Sequence, residues 1–361
     1  MNVLYDGKIY DIQSAGGINR YFTSIISRLP NSITPTITYS KPQFVNFPSH
    51  SNLQKIFFQR GLFRPTRVCD WAEVQYFRAI KHLYPCDLLH PTYYSLLTNQ
   101  DFKNIKIPLV LTVYDLIHEI FFPTDSHVAE KCQAIQAAQA IICISHNTKK
   151  DLLERYDIPD SKIAVTHLAS DIDVSQSYGS EPVPEQPYFL FVGSRSKYKN
   201  FDKMLSAFAK IAPHYSDLKL CAVGRKIQPW EKSLIEELNL SDHIEHYEQV
   251  SDCHLAKLYR CSLALVYPSR YEGFGIPPLE AMSCHSAVIA GSGSSIPEVV
   301  GDAGLLIDPE SIDDLVEAMK VILNYPGERD RLIAKGQERA RTFNWDKTAA
   351  ETIEVYHSIL G

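Results

Sequence analysis

The sequence lacks any stretch approaching the roughly 20 consecutive apolar residues needed to span a bilayer, and its first residues, MNVLYDGK, lack the basic-then-apolar order of a secretory leader. A cytoplasmic protein is therefore expected, with any membrane contact peripheral and at the inner face. No C-x-x-C pair occurs among the eight cysteines, Cys69, Cys86, Cys132, Cys143, Cys221, Cys253, Cys261 and Cys284. They read as reduced core residues rather than a disulfide framework. Acidic residues are absent between positions 12 and 69, although the whole chain carries a net charge of −6, which argues against general nucleic-acid binding. Within that acid-free stretch, residues 52–67 interleave Lys55, Arg60, Arg64 and Arg67 with Phe57, Phe58, Leu62 and Phe63. Two readings stand side by side: peripheral contact with anionic lipid headgroups, or a solvated basic face over core aromatics.

What is present is an ordinary globular composition, 45% hydrophobic and 22% charged over 361 residues, a length that points to two domains. Short apolar runs rich in β-formers alternate with helical patterns, which implies parallel sheets covered by helices. In the first half the runs are Asn2 to Tyr5, Pro35 to Tyr39, Asp87 to His90, Leu109 to Val113, Ala140 to Ile144 and Ile163 to His167. Residues 179–187, GSEPVPEQP, hold three prolines and no apolar period, the composition of a connector. The alternation then restarts at Tyr188 to Val192, Leu218 to Val223, Leu263 to Tyr267, Ala287 to Ala290 and Leu305 to Ile307. The expected division is a doubly wound domain over 1–180, a second over 188–344, and an amphipathic helix over 345–361 that returns to brace the first. Ligands in such sheets bind beyond the carboxyl ends of the strands, which directs attention to the strand-end loops.

Two of those loops carry concentrated chemistry. After the strand Tyr188 to Val192 comes Gly193-Ser194-Arg195-Ser196-Lys197-Tyr198-Lys199-Asn200. A guanidinium fork beside mobile ammonium groups suits a diphosphate leaving group, and the competing reading is a solvated basic turn. The second loop runs Tyr267-Pro268-Ser269-Arg270-Tyr271-Glu272-Gly273-Phe274-Gly275-Ile276-Pro277-Pro278-Leu279-Glu280. Gly273 and Gly275 allow close backbone approach, and the prolines suit a first helical turn, so the N–H groups of Phe274, Gly275 and Ile276 can face an anion or sugar hydroxyls. Glu272 and Glu280 are paired acceptors for hydroxyl groups, one for a ribose diol and one for a donor sugar. For Glu280 alone, a first-turn helix acid favoured by the dipole is the competing reading.

On these residues the chain resembles the retaining glycosyltransferases of family 4, with the two-domain GT-B fold of two Rossmann-like units facing across a cleft. The resemblance rests on the E-x7-E pattern from Glu272 to Glu280, the Arg195 and Lys199 loop, the segment Ala15-Gly16-Gly17-Ile18-Asn19-Arg20-Tyr21, the segment Ile144-Ser145-His146-Asn147-Thr148, and the run Ser295 to Gly304. It implies transfer of a sugar, mannose first and from GDP-mannose, to a polysaccharide, a lipid-linked oligosaccharide or another glycoconjugate. Under it Arg195 and Lys199 stabilise the departing diphosphate, Glu280 binds ribose hydroxyls and Glu272 contacts the transferred sugar. Gly16 and Gly17 bring backbone N–H groups to the same phosphates from the first domain. Retention implies that the leaving phosphate itself can take the acceptor's proton. No protein nucleophile is then required.

One departure stands out. Many members carry His-Asp-Leu at the end of an N-domain strand, whereas this chain reads Thr112-Val113-Tyr114-Asp115-Leu116-Ile117-His118. Tyr114, with Asp115 beside it, stands where that donor-side histidine would be, and a phenol with a reference pKa of about 10 is a poor base but a competent donor. His118 is either a substitute reaching into the cleft or a structural loop histidine. Asp171-Ile172-Asp173 matches the Asp-x-Asp spacing of metal-dependent transferases, but beside the connector a turn or cap is the better expectation. No essential metal and no cofactor beyond the nucleotide-sugar co-substrate are expected. A GT-B epimerase or phosphorylase is disfavoured by E-x7-E, and a catalytically silent nucleotide-sugar-binding or assembly protein of the same fold is the alternative.

Overall fold

The computed structural model describes residues 1–13, 16–41, 46–60, 66–80, 84 and 86–361. It divides into two compact units, Met1–Leu168 with Trp345–Gly361, and Ala169–Asn344.

In the first unit the strands are β1 (Asn2–Asp6), β2 (Thr34–Tyr39), β3 (Gln54–Phe57), β4 (Leu88–Leu89), β5 (Val110–Val113), β6 (Ala140–Cys143) and β7 (Ile163–Val165). All pair in parallel, in the orders β3-β2-β1-β4 and β5-β6-β7, and a parallel bridge from Leu89 to Leu109 joins the two groups. The near-continuous burial of β5 and β6 is that of strands covered on both faces. β3 escapes the sequence reading because an edge strand with Gln54 and Lys55 exposed shows no apolar run.

The C-terminal helix Trp345–Leu360 belongs to this unit. Its Tyr356 hydroxyl lies 2.6 Å from His90 Nδ1 and 3.1 Å from the Tyr5 hydroxyl, while His90 Nε2 lies 2.8 Å from Thr112 Oγ1. Thr348 donates to the His167 carbonyl at 2.6 Å. This buried polar chain locks the end of the sequence against β1, β4 and β5. Burial holds His90 neutral by lowering its pKa to about 3.

Ser145 caps the helix His146–Arg155 by accepting from Thr148 N, a position set by its place directly after β6. Within residues 52–67, Arg60 pairs with Asp70 and with buried Glu73 of the helix Thr66–Ile80, and Phe58 is core. The acid-free stretch is thus partly neutralised by the acids that follow it. Arg64, Leu62 and Phe63 lie outside the described residues. Among the described residues no helix is long and apolar enough to cross a membrane.

The second unit holds β8 (Tyr188–Val192), β9 (Lys219–Val223), β10 (Ile244–Tyr247), β11 (Ala264–Tyr267), β12 (Ala287–Gly291) and β13 (Leu305–Ile307), in the all-parallel order β10-β9-β8-β11-β12-β13. Helices Phe201–Ile211 and Ile312–Asn324 bury apolar stripes against it, with Phe189, Phe191, Leu205, Phe208, Leu220, Val266 and Met319 at the centre of the core. β10, Ile-Glu-His-Tyr, is half-buried and was not legible as a strand.

The second unit begins before the proline-rich connector, at Ala169. The turn Val174–Tyr178 packs on the helix Asp252–Cys261, where Arg260 stacks on Tyr178 and donates to the Ser177 carbonyl, and Lys257 donates to the carbonyls of Gly179 and Glu181. Asp173 caps that turn through Ser175 N at 2.7 Å, while the Asp171 carbonyl accepts from Gln176. The cysteines need one correction. All are free, but Cys86 and Cys132 are only half-buried, and Cys253 and Cys261 are exposed on an amphipathic helix because neither falls on its apolar stripe.

Candidate functional site

In the strand order of the second unit the chain turns one way from β8 and the other way from β11, so the crevice beyond these two strands is the switch point where doubly wound sheets take ligands. The loops after β8 and β11 are the two that the sequence marked, and the fold brings them together. The Arg270 N–H donates to the Tyr198 carbonyl at 2.8 Å. Asn200, in the left-handed conformation at φ 53°, extends its amide to the carbonyls of Pro268 and Pro309 at 3.1 and 2.7 Å. A short side chain that tolerates this backbone and still reaches two carbonyls explains the residue type.

Glu272 and Lys199, 73 positions apart, meet here. Lys199 Nζ lies 2.5 Å from Glu272 Oε1 and 3.1 Å from the Tyr267 hydroxyl, with side chains 12% and 9% exposed respectively for Lys199 and Glu272. The backbone around Glu272 is held separately. Its N–H donates to Ser294 Oγ, and Ser295 Oγ donates to the carbonyls of Glu272 and Phe274. Burial and the neighbouring Glu272 carboxylate raise the Tyr267 phenol well above its usual value, keeping it a neutral donor and acceptor.

Gly275 forms the N-cap of the helix Ile276–Ser283 at φ 116°, a conformation open to glycine. Pro277 and Pro278 carry no N–H, so Gly275 and Ile276 hold the remaining donors ahead of the first intrahelical bonds. Gly273 and Phe274 lie in the same turn, with the Phe274 ring packed edge-on against Phe343 at 5.6 Å. Glu280 sits in the second turn of that helix and is buried, accepting from the Tyr259 hydroxyl at 2.9 Å. It is therefore not a first-turn acid.

Arg195 is placed differently from a mobile phosphate ligand. Its side chain is 3% exposed, its Nε donates to Glu231 Oε1 at 2.7 Å, its Nη2 donates to the Arg225 carbonyl, and its guanidinium stacks 5.5 Å over the Phe201 ring. Only Nη1 makes no hydrogen bond among the described residues. Two of the three nitrogens are thus committed to holding the fork, and the third is buried without a partner among the described residues.

Glu231, 1% exposed, is the residue that sequence reasoning missed. Its second oxygen accepts from Gln228 N at 2.6 Å, closing a capping box at the start of the helix Pro229–Glu237. The sequence signal was there, a proline at the first helical position with a glutamate two places on, but it announces only a helix start. The approach of the loops after β8 and β9 also fixes Gly224, where a Cβ would lie 2.4 Å from the Gly193 carbonyl oxygen.

The first-unit candidates lie on separate elements. Gly16 caps the helix Gly17–Ser27, and Ser14 and Ala15 before it lie outside the described residues. Tyr114, at the end of β5, is buried, and its hydroxyl donates to the Thr92 carbonyl at 3.2 Å while its N–H donates to the Tyr94 hydroxyl. Burial raises its pKa well above the usual value, which keeps the phenol protonated. Asp115 accepts from Ile117 N at 3.0 Å and opens the short helix Ile117–Phe121. His118 on that helix stacks on His127 at 5.3 Å, with Nε2 3.9 Å from Asp125 Oδ2.

Comparison with known proteins returns two family matches in tandem. Residues 15–174 match the model described as Glycosyltransferase Family 4, and residues 177–339 match Glycosyl transferases group 1. Among curated proteins, the chain is 30% identical over 236 residues to the O-antigen chain mannosyltransferase B of Escherichia coli, with 62% of each chain covered. It is 27% identical over 229 residues to the O-antigen chain mannosyltransferase RfbU of Salmonella typhimurium, covering 61% of this chain and 63% of that one. The chain thus spans less than two thirds of the length of these curated relatives.

Solved structures match over nearly the whole length. The sucrose-phosphate synthase of Thermosynechococcus elongatus superposes with a TM-score of 0.77 at 21% identity, covering 99% of this chain and 98% of the other. Anabaena HepE, solved with UDP and glucose, gives 0.73 at 15% identity, covering 99% and 100%. These two likenesses speak to the fold, two Rossmann-like units of the GT-B class.

Proposed function

The chain belongs to glycosyltransferase family 4, and from that premise we propose that it moves a sugar, mannose first, from a nucleoside-diphosphate donor to a polysaccharide, a lipid-linked oligosaccharide or another glycoconjugate. The observation that carries this reading is the Lys199–Glu272 pair beside the Gly275 helix start at the β8/β11 switch point. A fixed ammonium, a guanidinium nitrogen at Arg195 Nη1 and first-turn N–H groups supply positive potential for a diphosphate leaving group. The carboxylates of Glu272 and Glu280 supply acceptors for sugar and ribose hydroxyls. The mannosyltransferase names of the curated relatives support the choice of mannose.

In this reading transfer proceeds with retention. The leaving phosphate takes the acceptor's proton, and Lys199 and Arg195 offset the charge that develops on it. Tyr114 is not the base, since its hydroxyl is already bound to the Thr92 carbonyl. No essential metal is part of this reading, in which Lys199, Arg195 and the helix N–H groups take over the charge neutralisation a divalent ion would supply. The test is a thermal-shift panel of the purified chain against UDP, GDP, ADP, CMP and dTDP with and without manganese, since a ligand that binds only the folded state raises its stability. A shift with GDP that ignores manganese supports the reading. A shift with UDP alone removes GDP-mannose. A shift that requires manganese ends metal independence, and no shift with any nucleotide makes a silent protein of the same fold the better reading.

Peripheral contact with an anionic membrane at the inner face is part of the same proposal. It is supported by Trp71, 66% exposed on the helix Thr66–Ile80, beside exposed Val68 and Arg67. Flotation with anionic liposomes tests it, and absence of salt-sensitive binding would overturn it.

A further inference from the structure

We propose that His118, Asp125 and His127 form a binding site for a divalent transition ion of the zinc type. The three ligand atoms lie within 4.8 Å of one another. His127 Nδ1 is 2.6 Å from Asp125 Oδ1, and His118 Nε2 is 3.9 Å from Asp125 Oδ2. The second distance is too long for a hydrogen bond and lies only about 0.6 Å beyond the separation of two ligand atoms on a tetrahedral ion. A tetrahedral ion with bonds of about 2 Å separates its ligand atoms by about 3.3 Å, so closure changes each separation by no more than about 1.5 Å, within the reach of side-chain rotation.

The backbone already presents the three groups. Asp125 caps the helix Ser126–Ala137 through His127 N at 3.0 Å, and His127 is the second residue of that helix. His118 approaches from the helix Ile117–Phe121, so the site spans the turn between the two helices. On the far side of this turn the two helices are joined by buried Lys131, which donates to Glu119 Oε2 at 2.9 Å and to the Asp115 carbonyl at 3.0 Å. The two imidazoles stack at 5.3 Å and 30°, and Asp125 forms ion pairs among the described residues with these histidines alone.

Two imidazoles with one carboxylate select zinc, cobalt or nickel over magnesium and calcium, which prefer all-oxygen sites. All three side chains are partly exposed, so an ion has a path in and keeps an open position for water or an anion. The ion would staple the segment that follows Tyr114 and Asp115. This inference is independent of the catalytic reading, which needs no metal at the phosphates.

The test uses the full chain, stripped with chelator and dialysed, then titrated calorimetrically with zinc chloride and followed in parallel by visible absorption with cobalt(II). One zinc per chain is expected, with affinity falling at least about tenfold in His118→Ala and in Asp125→Asn. Asparagine keeps the helix cap while removing the charge, so that variant stays folded. Cobalt should give nitrogen and oxygen ligation without sulfur charge-transfer bands. Absence of zinc binding, unchanged affinity in both variants, an equal response to magnesium, or sulfur bands that vanish in Cys253→Ser and Cys261→Ser would each overturn the assignment.

Discussion

Removing Lys199 while keeping Glu272 tests the centre of the site most directly. The pair is close to fully buried, 2.5 Å apart, and among the described residues the Glu272 carboxylate has no other cation as partner. In Lys199→Met the methionine fills the aliphatic space but leaves a carboxylate held by its backbone ties to Ser294 and Ser295. Breaking a buried pair from one side costs about 3–5 kcal/mol, and the residual exposure of about a tenth places this variant near the lower end, about 3 kcal/mol.

On a unit the size of Ala169–Asn344 that corresponds to a fall in melting temperature of roughly 6–12 °C. Glu272→Gln should cost less, because the lysine keeps the Tyr267 hydroxyl and its flexible stem can lead the ammonium toward water. The double variant should then recover part of the Lys199→Met loss, giving a coupling of at least about 1.5 kcal/mol in a double-mutant cycle read by calorimetry. Turnover should follow a different order, with Glu272→Gln and Lys199→Met each slowing transfer by about a hundredfold or more despite their unequal stabilities. Additive stabilities within about 0.5 kcal/mol, or near-native transfer by either single variant, would refute the reasoning.

Other expectations follow from the same geometry. Glu231→Gln should lower turnover at least about tenfold by loosening Arg195, while Arg195→Ala should lower it about a hundredfold, and unchanged kinetics in Glu231→Gln would show that the guanidinium needs no clamp. His90 stays neutral in the fold down to about pH 3 but protonates in the unfolded chain below about 6.5. Stability should therefore fall by about 1.4 kcal/mol per pH unit as pH drops below that value, and His90→Gln should flatten this slope in acid melts. Asp6, whose burial raises its pKa to about 7, works with the opposite sign. Its contribution is full below about pH 4 and is lost as pH rises to 7, so Asp6→Asn should raise the melting temperature more at pH 7.5 than at pH 4.5. Tyr356→Phe deprives buried His90 of a partner and should cost about 1–3 kcal/mol, measured by denaturant unfolding.

The amino-acid sequence by itself determined the class of fold, because burial on both faces forces β-rich apolar runs such as Phe189 to Val192 and Ile141 to Cys143 to read as parallel strands between helices. It determined the two loops after β8 and β11 as well, since glycines and prolines before a helix leave a local signature that needs no distant partner. Edge strands β3 and β10 were not legible, because half-exposed strands carry mixed side chains. Only the tertiary structure decided that Arg195 is clamped by Glu231, 36 positions away, and that Lys199 faces Glu272 rather than solvent. It alone turned the Tyr114 hydroxyl onto the Thr92 carbonyl and set His118 beside Asp125 and His127. The reason is physical. A local pattern reports backbone preference and burial, whereas the partner of a charge or hydroxyl is set by which distant segment the sheet order brings within hydrogen-bond reach.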